Sequence, residues 1–283
     1  MNQEGAAGRN EGGVKAAAST LSILEAVALA REPIGLSQIA RQLFLSKAGV
    51  FRYLRTLVER GYVVQSRETG RYHLGPKAYA IGHLAPVEGD LIEASEAPMR
   101  RLVASTGLTT VLGAPSPEGV IVMRSMSGTR GRSLQVWPGQ VMRPFHALAH
   151  GKLILTFGPK DYRAQVFAAP LSVRTPKTIT DHVRLSSELD EVARRGYAVA
   201  TEESITGVGS LAAPIFGPGH ELVGSIALVS FVQDIPAEPD PELIRQVKAT
   251  AETISEYLQA AAGLAPRGPG DWSKRSGSAE RPS

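Results

Sequence analysis

The sequence predicts a two-domain α/β protein, with an N-terminal winged helix-turn-helix domain and a C-terminal α+β domain that contains an antiparallel sheet. Three observations support this fold class. Three helical patterns and then an alternating, hairpin-like pattern occupy residues 14–75. Strand and helix patterns alternate from Thr109 onward, and hairpin-like strands outnumber clean βαβ crossovers. With 283 residues, the chain is also longer than a typical single domain.

The first two helices are predicted from apolar spacing and from residues that suit helix ends. Ala17–Arg31 repeats apolar residues at helical intervals and is followed by Pro33, which cannot continue a helix. Ser37 can cap a short second helix, Gln38–Leu43, because its hydroxyl can accept a hydrogen bond from a free backbone N–H. Two helices this close together are typical of a helix-turn-helix.

The third helix and a hairpin complete the predicted domain. Ser46 can cap a helix that runs to about Arg60, and Gly61 suits the left-handed conformation at its end. Tyr62–Gln65 and Arg71–Leu74 alternate apolar and polar residues around a polar turn, which predicts a β-hairpin. The buried stripe of the third helix is expected to consist of Val50, Leu54, Leu57 and Val58.

The rest of the folded chain is predicted to alternate strands with helices. Pro76–Leu84 is expected to be a short connecting helix, and a long helix follows that ends near Ser105. Strands are expected at Thr110–Ala114, Val120–Ser125, Ser133–Val136, Ala198–Thr201, Ser210–Phe216 and Val223–Ser230. Further helices are expected at Phe145–Phe157, Lys160–Ala168, Asp181–Arg195 and Pro241–Ala262.

These patterns divide the chain into five segments. Residues 1–13 and 263–283 are rich in glycine and polar residues and cannot form a core, so both are expected to be disordered tails. Between them, residues 14–75 are expected to form the winged helix-turn-helix domain, residues 76–89 a linker helix and residues 90–262 the α+β domain.

Composition and charge favour a cytoplasmic protein whose N-terminal domain binds a polyanion. The chain has no cysteine, and residues 1–13 lack a hydrophobic signal core. No apolar run approaches the roughly 18 residues that span a membrane. Between Val14 and Gly82, ten basic residues against four acidic ones give a net charge of +6, whereas the whole chain carries +4. This concentration of positive charge in the N-terminal part is typical of a DNA-binding domain, although a solvated basic surface has the same composition.

The outer side of the third helix is the predicted DNA-reading surface. In a helix-turn-helix this helix enters the major groove, where Arg52 and Arg55 are long enough to reach base edges or phosphates. Lys47 is expected at a phosphate, and the hairpin residues Arg67 and Arg71 at the minor groove or backbone. The predicted contact set is Ser37, Ser46, Lys47, Ala48, Phe51, Arg52, Arg55, Arg67 and Arg71. A winged helix that contacts only proteins is the alternative.

Motifs along residues 17–260 resemble those of the IclR-type transcription regulators. In the first domain they are Gly35-Leu-Ser-Gln-Ile-Ala-Arg-Gln-Leu43, Ser46-Lys47, Val50, Arg52-Tyr-Leu-Arg-Thr-Leu57, Glu59-Arg-Gly-Tyr62 and Thr69-Gly-Arg-Tyr-His-Leu-Gly75. In the second they are Pro144-Phe-His-Ala147, Gly151-Lys152, Gly196-Tyr-Ala198, Glu202-Glu203 and Ala212-Ala-Pro214. The resemblance implies a homodimer or homotetramer that binds palindromic operator DNA. It also implies a GAF-like effector domain that binds a small organic acid.

The DNA-reading helix departs from that family pattern. Small hydroxyl residues are frequent where this chain has Ala48 and Gly49, and a polar residue is frequent at Phe51. Ala48 and Phe51 offer only apolar contacts, for instance to thymine methyl groups. Base preference is therefore expected to depend on Arg52, Arg55 and the hairpin. Gly49 indicates either close approach of the backbone to DNA or a tolerated helix weakness of roughly 1 kcal/mol.

Two histidines, His146 and His150, form the second candidate site. The predicted helix Phe145–Phe157 would place them four residues apart on one face, as in zinc proteases, but the Glu that activates water in those enzymes is absent. Structural histidines, a ligand-binding histidine and a metal site all fit this pattern, and no metal is expected. By resemblance, Ala149 and His150 lie where the family's pocket approaches a ligand carboxylate with backbone amides at a helix N-terminus.

The resemblance extends the ligand pocket to further residues. Ser210 corresponds to a small polar or Cys ligand contact, and Ala200 stands where an acid is frequent. Ala227 and Val229 stand where members that bind small keto acids have serines, although both also fit an ordinary strand core. Loss of these polar groups predicts an apolar pocket for a larger acid or an aromatic compound. Two more candidate lining residues are Trp137 and Met142.

The resulting hypothesis is a ligand-responsive bacterial transcription regulator without catalytic activity. The chain lacks a Gly-x-Ser-x-Gly elbow, a phosphate loop ending in Gly-Lys-Ser/Thr and a complete dinucleotide fingerprint, and no cofactor is expected. One alternative is an enzyme that uses the second domain, with Ser210 or His150 catalytic. Another is an architectural DNA binder without an effector.

Overall fold

The computed structural model describes residues 14–30, 32–84, 91–130, 134–261 and 263. Its contacts divide the chain into two compact units, residues 1–86 and 87–283. The tail 1–13, the linker residues 85–89 and all of the tail 263–283 except residue 263 lie outside the described residues. In the part that is described, no helix is both long and apolar enough to cross a membrane.

The first unit has the predicted order of three helices, a hairpin and a further helix. Its elements are α1 (Lys15–Leu29), α2 (Leu36–Gln42), α3 (Lys47–Glu59), β1 (Val63–Gln65), β2 (Tyr72–Leu74) and α4 (Pro76–Leu84). β1 and β2 pair antiparallel, with Val64 opposite His73. This order and pairing confirm the winged helix-turn-helix.

One apolar core joins these helices to the hairpin. Its buried residues are Ile23, Val27, Ile34, Ile39, Ala40, Val50, Leu54, Leu57, Val63 and Tyr72. Val58 is 36% exposed, so its predicted burial is wrong. At about 100° per residue, Val58 is rotated roughly 80° from Val50 and lies beside the buried stripe of α3 rather than within it.

The predicted cap of α2 is also wrong. α2 begins at Leu36, and the extended residue before it is Gly35, so Ser37 lies inside the first turn with no capping bond. The backbone N–H of Gly35 donates instead to Oε1 of Gln38 at 3.1 Å. This hydrogen bond from the Gly35 N–H to Gln38 stabilises a helix that begins at Leu36, one residue before Ser37.

The second unit is an antiparallel sheet between helices, as predicted. Its elements are α5 (Leu91–Thr106), β3 (Thr109–Ser116), β4 (Gly119–Met126), β5 (Val141–Met142), α6 (Ala149–Phe157), α7 (Lys160–Phe167), α8 (His182–Arg195), β6 (Ala198–Thr201), β7 (Val208–Phe216), β8 (Leu222–Phe231) and α9 (Pro241–Ala261). The strand order is β5-β4-β3-β8-β7-β6, and every neighbouring pair is antiparallel.

The helices cover the two faces of the sheet differently. α5 and α9 pack over large apolar side chains, such as Leu112 and Ile226. α6 packs on the other face, with α8 against it, over small side chains such as Ala212 and Ala227. The second face contains most of the residues of the predicted ligand pocket.

One predicted strand is displaced along the chain. Residues 134–136 form no strand, and the short edge strand is β5 instead. A turn at Gly139, which has φ +82°, precedes the pairing. The backbone N–H of Gly139 donates to the Val122 carbonyl at 2.8 Å, and the Val122 N–H donates to the Gln140 carbonyl at 2.9 Å. The edge of β4 is therefore occupied by residues beyond this turn.

Candidate functional site

The outward face of α3 presents the predicted DNA-reading side chains. Its exposed residues include Lys47, Ala48, Phe51, Arg52 and Arg55. Ser46 caps the helix as predicted, since its Oγ accepts a hydrogen bond from the backbone N–H of Gly49 at 3.1 Å. A Cβ at residue 49 would lie 3.1 Å from the same Oγ, so glycine accommodates the cap at close range.

The two arginines of this face have different surroundings. Nε of Arg55 lies 3.2 Å from a carboxylate oxygen of Glu59, one helical turn later, and both side chains are mostly exposed. No ion pair or side-chain hydrogen bond of the Arg52 guanidinium occurs among the described residues. Arg52 is therefore the more available of the two for a base or a phosphate.

The hairpin is fastened to the segment that follows α1. The N–H of Ile34 donates to the Tyr72 carbonyl at 2.9 Å, and the Tyr72 N–H donates back at 2.8 Å. Arg71, predicted to contact DNA, donates from Nη1 to the Pro33 carbonyl at 3.2 Å, whereas Arg67 is exposed in the hairpin turn. Sequence reasoning missed this attachment, because nothing in the residues around Pro33 indicates a strand-like bridge.

The predicted helix Phe145–Phe157 is broken near its start. Phe145–Ala147 is a 3₁₀ turn, Leu148 is extended with φ −123° and ψ 138°, and α6 begins at Ala149. The break folds the backbone of Phe145 against the new helix. A Cβ at residue 151 would lie 2.0 Å from the Phe145 carbonyl oxygen, so only glycine fits there.

The break separates the two histidines, so their predicted common helix face is wrong. Nε2 of His146 lies 3.0 Å from the Ser172 carbonyl oxygen, whereas Nδ1 of His150 lies 2.7 Å from Oγ of Ser225 on β8. Over the described ranges, no cluster of three or more metal-ligating side chains is present. Ser225 was missed as a partner of His150, although alternation along β8 places it on the same sheet face as Ala227.

His150 is a buried, neutral histidine in the first turn of α6. Its side chain is 3% exposed, and burial lowers its pKa to about 4. Nε2 has no hydrogen-bond partner among the described residues. A Cβ at Gly113 would lie 3.1 Å from Nδ1, so this glycine lets β3 pass close under the imidazole ring.

The predicted pocket residues of the sheet form a nearly apolar surface next to α6. Ser210 stands opposite Ala200 on one side and Val229 on the other. Ala149, the first residue of α6, belongs to the same buried cluster as Ala200, Ala227 and Val229. The structure therefore brings together five of the eight predicted effector residues, and His150 follows Ala149 directly.

The other two predicted residues lie elsewhere. Met142 packs against a different cluster, which includes Val120 and Phe145. Trp137 is half-buried at the turn before β5, where its carbonyl accepts a hydrogen bond from the N–H of Gln140. A separate groove of about 330 Å³ lies between α5 and α9, beside Arg101 and Gln246. These helices cover the sheet face opposite α6, so the groove is remote from His150.

Sequence reasoning missed a buried ion pair next to this surface. Lys152 of α6 is 1% exposed, and its Nζ donates to Glu203 Oε1 at 2.7 Å and to the Val199 carbonyl at 2.9 Å. Burial raises the pKa of Glu203, and the neighbouring ammonium of Lys152 opposes that rise. The signal was a lysine followed by three large apolar residues, which indicates a charge inside the fold.

Two family descriptions match the chain. The "IclR helix-turn-helix domain" covers residues 16–67, and "Bacterial transcriptional regulator IclR C-terminal" covers residues 84–256. The glycerol operon regulatory protein of Streptomyces griseus is 31% identical over 260 residues, 89% of this chain and 98% of the relative. The HTH-type transcriptional regulator KdgR of Escherichia coli is 29% identical over 87% of this chain and 93% of its own length.

Solved structures share the fold across both units. A protein from Silicibacter sp. TM1040, described as an IclR transcriptional regulator, has a TM-score of 0.70 and 28% identity and covers 89% of this chain and 98% of its own. An IclR homologue of Microbacterium hydrocarbonoxydans, solved with 4-hydroxybenzoate, has a TM-score of 0.73 at 21% identity, with 87% and 100% covered. These likenesses confirm the predicted fold class.

Proposed function

The chain belongs to the IclR family of bacterial transcription regulators, and from this premise we propose which DNA and which ligand it recognises. It binds palindromic operator DNA in the cytoplasm through α3 and the hairpin, as a homodimer or homotetramer. Its second unit senses a small organic acid, and an aromatic acid suits the site best. It regulates transcription and catalyses no reaction.

The observation that supports DNA binding is the exposed face of α3. A helix that buries one stripe and presents Lys47, Arg52 and Arg55 on the other suits the major groove, where side chains meet phosphates and base edges. The Ser46 cap leaves further backbone N–H groups of the first turn available to a phosphate. The excess of positive charge in this unit favours the same partner.

The DNA proposal is tested on the region upstream of the protein's own gene. We expect fluorescence anisotropy to show binding to a labelled fragment of that region, with an unrelated fragment of equal length bound more weakly. Because phosphate contacts release counterions, the affinity should fall steeply as salt increases. Equal affinity for both fragments at every salt concentration would overturn the proposal.

The observation that supports ligand binding is Nε2 of His150, which has no hydrogen-bond partner within the part of the chain that the structure describes. It is buried in the first turn of α6, where free backbone N–H groups and the positive end of the helix dipole favour a carboxylate. A neutral imidazole can donate one hydrogen bond to an acid without the cost of burying a second charge. An acid at this position would satisfy both groups.

The surface beside His150 favours an acid with an apolar body. Ala200, Ala227 and Val229 present no hydrogen-bonding side chain there, whereas Ser210 is polar and the hydroxyl of Ser225 is engaged by His150. The keto oxygen of a compact keto acid would find few hydrogen-bond donors on this surface. The ring of an aromatic acid would instead be stabilised by burial against its apolar side chains. The fold accommodates such a ligand in a structural neighbour, which holds 4-hydroxybenzoate.

Native mass spectrometry with 4-hydroxybenzoate and pyruvate as probes tests the ligand class and the oligomer together. We expect a dimer or tetramer that retains 4-hydroxybenzoate at lower concentration than pyruvate. Binding of pyruvate alone would overturn the aromatic assignment. A monomer at every concentration would overturn the proposed assembly.

A further inference from the structure

The first turns of α3 carry apolar side chains on the same exposed face as basic ones. Phe51 is 52% exposed, and Ala48 lies one turn before it, also exposed. An exposed Phe contributes nothing to the core of this unit, whose α3 residues are Val50, Leu54 and Leu57. Its apolar surface is available to a partner.

The surroundings of Phe51 point to DNA as that partner. Lys47 stands one helical turn before it, and Arg52 and Arg55 follow on the same exposed side. An apolar side chain framed by three cations suits a partner that is anionic at its edges and apolar in between. The major groove has this character only where a pyrimidine carries a C5 methyl group between the phosphate strands.

The polar readers of the domain are partly engaged within the protein. Arg55 lies 3.2 Å from Glu59, and Arg71 is bonded to the Pro33 carbonyl. Of the arginines predicted to read bases on α3, Arg52 has no such partner among the described residues. Ala48 and Phe51 can add to the discrimination between bases through apolar contacts.

We propose that this protein selects its operator through thymine C5 methyl groups, which Phe51 contacts in the major groove with Ala48 beside it. The inference rests on the proposed DNA-binding function and names the base that the recognition helix reads. Thymine and uracil pair identically and differ only in this methyl group. Burial of one methyl corresponds to about fourfold in affinity, and two half-sites give about 15-fold.

The test compares two versions of the same upstream fragment. One is amplified with dTTP and the other with dUTP, so that thymine is replaced by uracil outside the primers. Anisotropy with the full-length wild-type protein should give an affinity at least fourfold higher for the thymine fragment. Phe51→Ala should bring the two affinities within a factor of about two, mainly by weakening binding to the thymine fragment.

Two variants provide matched controls. Phe44→Ala removes another exposed Phe of the same unit, 96% exposed and outside α3, and should keep the wild-type preference for thymine. Arg52→Ala should weaken binding to both fragments and keep their ratio. Circular dichroism of Phe51→Ala checks that the exposed substitution leaves the helices intact.

The possible outcomes separate this inference from the proposed function. Specific binding of both fragments with equal affinity overturns the thymine inference but agrees with the proposed function of a DNA-binding regulator. A thymine preference that survives Phe51→Ala overturns the role of Phe51. Failure to bind the thymine fragment specifically overturns the proposed function and this inference together.

Discussion

His150 is buried, and its burial gives a measurable dependence of stability on pH. Burial lowers its pKa from 6.5 to about 4, so the folded protein keeps a neutral imidazole where the unfolded chain is protonated. Between pH 6.5 and pH 4 the unfolded state binds more protons, and the free energy of unfolding falls as the pH drops through that window. Above pH 6.5 the stabilising contribution is complete.

We expect this residue to account for a loss of about 3 kcal/mol in unfolding free energy between pH 7 and pH 4. The glutamine in His150→Gln cannot take up a proton, so the variant should lose about 3 kcal/mol less unfolding free energy than wild type between pH 7 and pH 4. His146, whose pKa is also lowered mainly by burial, supplies part of the remaining dependence. Urea unfolding at several pH values measures the difference, and parallel profiles for wild type and variant would contradict a buried neutral His150.

Arg52 and Arg55 should differ in their effect on DNA binding. Arg52→Ala is expected to cost roughly 1–3 kcal/mol and to relax specificity at one base position. Arg55→Ala should cost less, because Glu59 already neighbours that guanidinium and repels phosphates. Arg101→Ala removes an exposed charge from the second unit and is the control. Unaltered binding by both α3 variants would show that another surface contacts DNA.

Single residues were predictable where one local rule decided their position. Ser46 caps α3 because a hydroxyl directly before a helix can accept a hydrogen bond from a free backbone N–H of the first turn. The predicted cap at Ser37 was wrong because the helix starts one residue earlier, where the Gln38 side chain accepts a hydrogen bond from the Gly35 N–H. His150 was expected near a ligand, but its bond to Ser225 joins positions 75 residues apart, which local rules do not reach.

At the scale of elements, Lys152 joins α6 to the last strand of the sheet. β6 is last in the strand order, and its Val199 carbonyl accepts a hydrogen bond from Nζ of Lys152. The same ammonium pairs with Glu203, just after β6, and contacts Glu188 of α8 at 3.4 Å. The ammonium thereby links two helices to the strand that carries Ala200.

Lys152→Met should destabilise the second unit by about 3–5 kcal/mol, because it leaves Glu203 buried without its partner. Adding Glu203→Gln should recover part of that loss, since the double variant buries no unpaired charge. Lys160→Met, at an exposed position of α7, should change stability by less than about 0.5 kcal/mol. Thermal unfolding measures all three, and a loss below about 1 kcal/mol in Lys152→Met would contradict a structural ion pair.

Elements were predictable where the hydrophobic period is long and uninterrupted. α8 shows its buried residues Leu185, Leu189 and Val192 in the sequence, although Val183, an apolar residue of the same pattern, is 76% exposed. The break before α6 was not visible, because its 3₁₀ turn and its helix share one apolar pattern. The break brings the Phe145 backbone close to Gly151, and that contact depends on how the chain packs.

At the scale of the whole molecule, the proposed DNA contacts and the proposed ligand contacts lie in different units of one chain. The candidate DNA surface belongs to residues 1–86, and His150 belongs to residues 87–283. A ligand in the second unit can change operator affinity only if the liganded and free proteins bind DNA differently. The proposed regulation is therefore a coupling between two sites, and we expect that each site can be removed by its own substitution.

The proposed regulation is tested most directly by the affinity of the protein for its upstream fragment with and without saturating 4-hydroxybenzoate. We expect that affinity to change by about 5-fold to 150-fold, which is typical of coupled sites. In His150→Ala the acid should have no effect, while affinity for DNA alone stays at the wild-type value. An aromatic acid that binds the wild-type protein and leaves operator affinity unchanged, or a His150→Ala variant that responds like wild type, would contradict the proposed regulation.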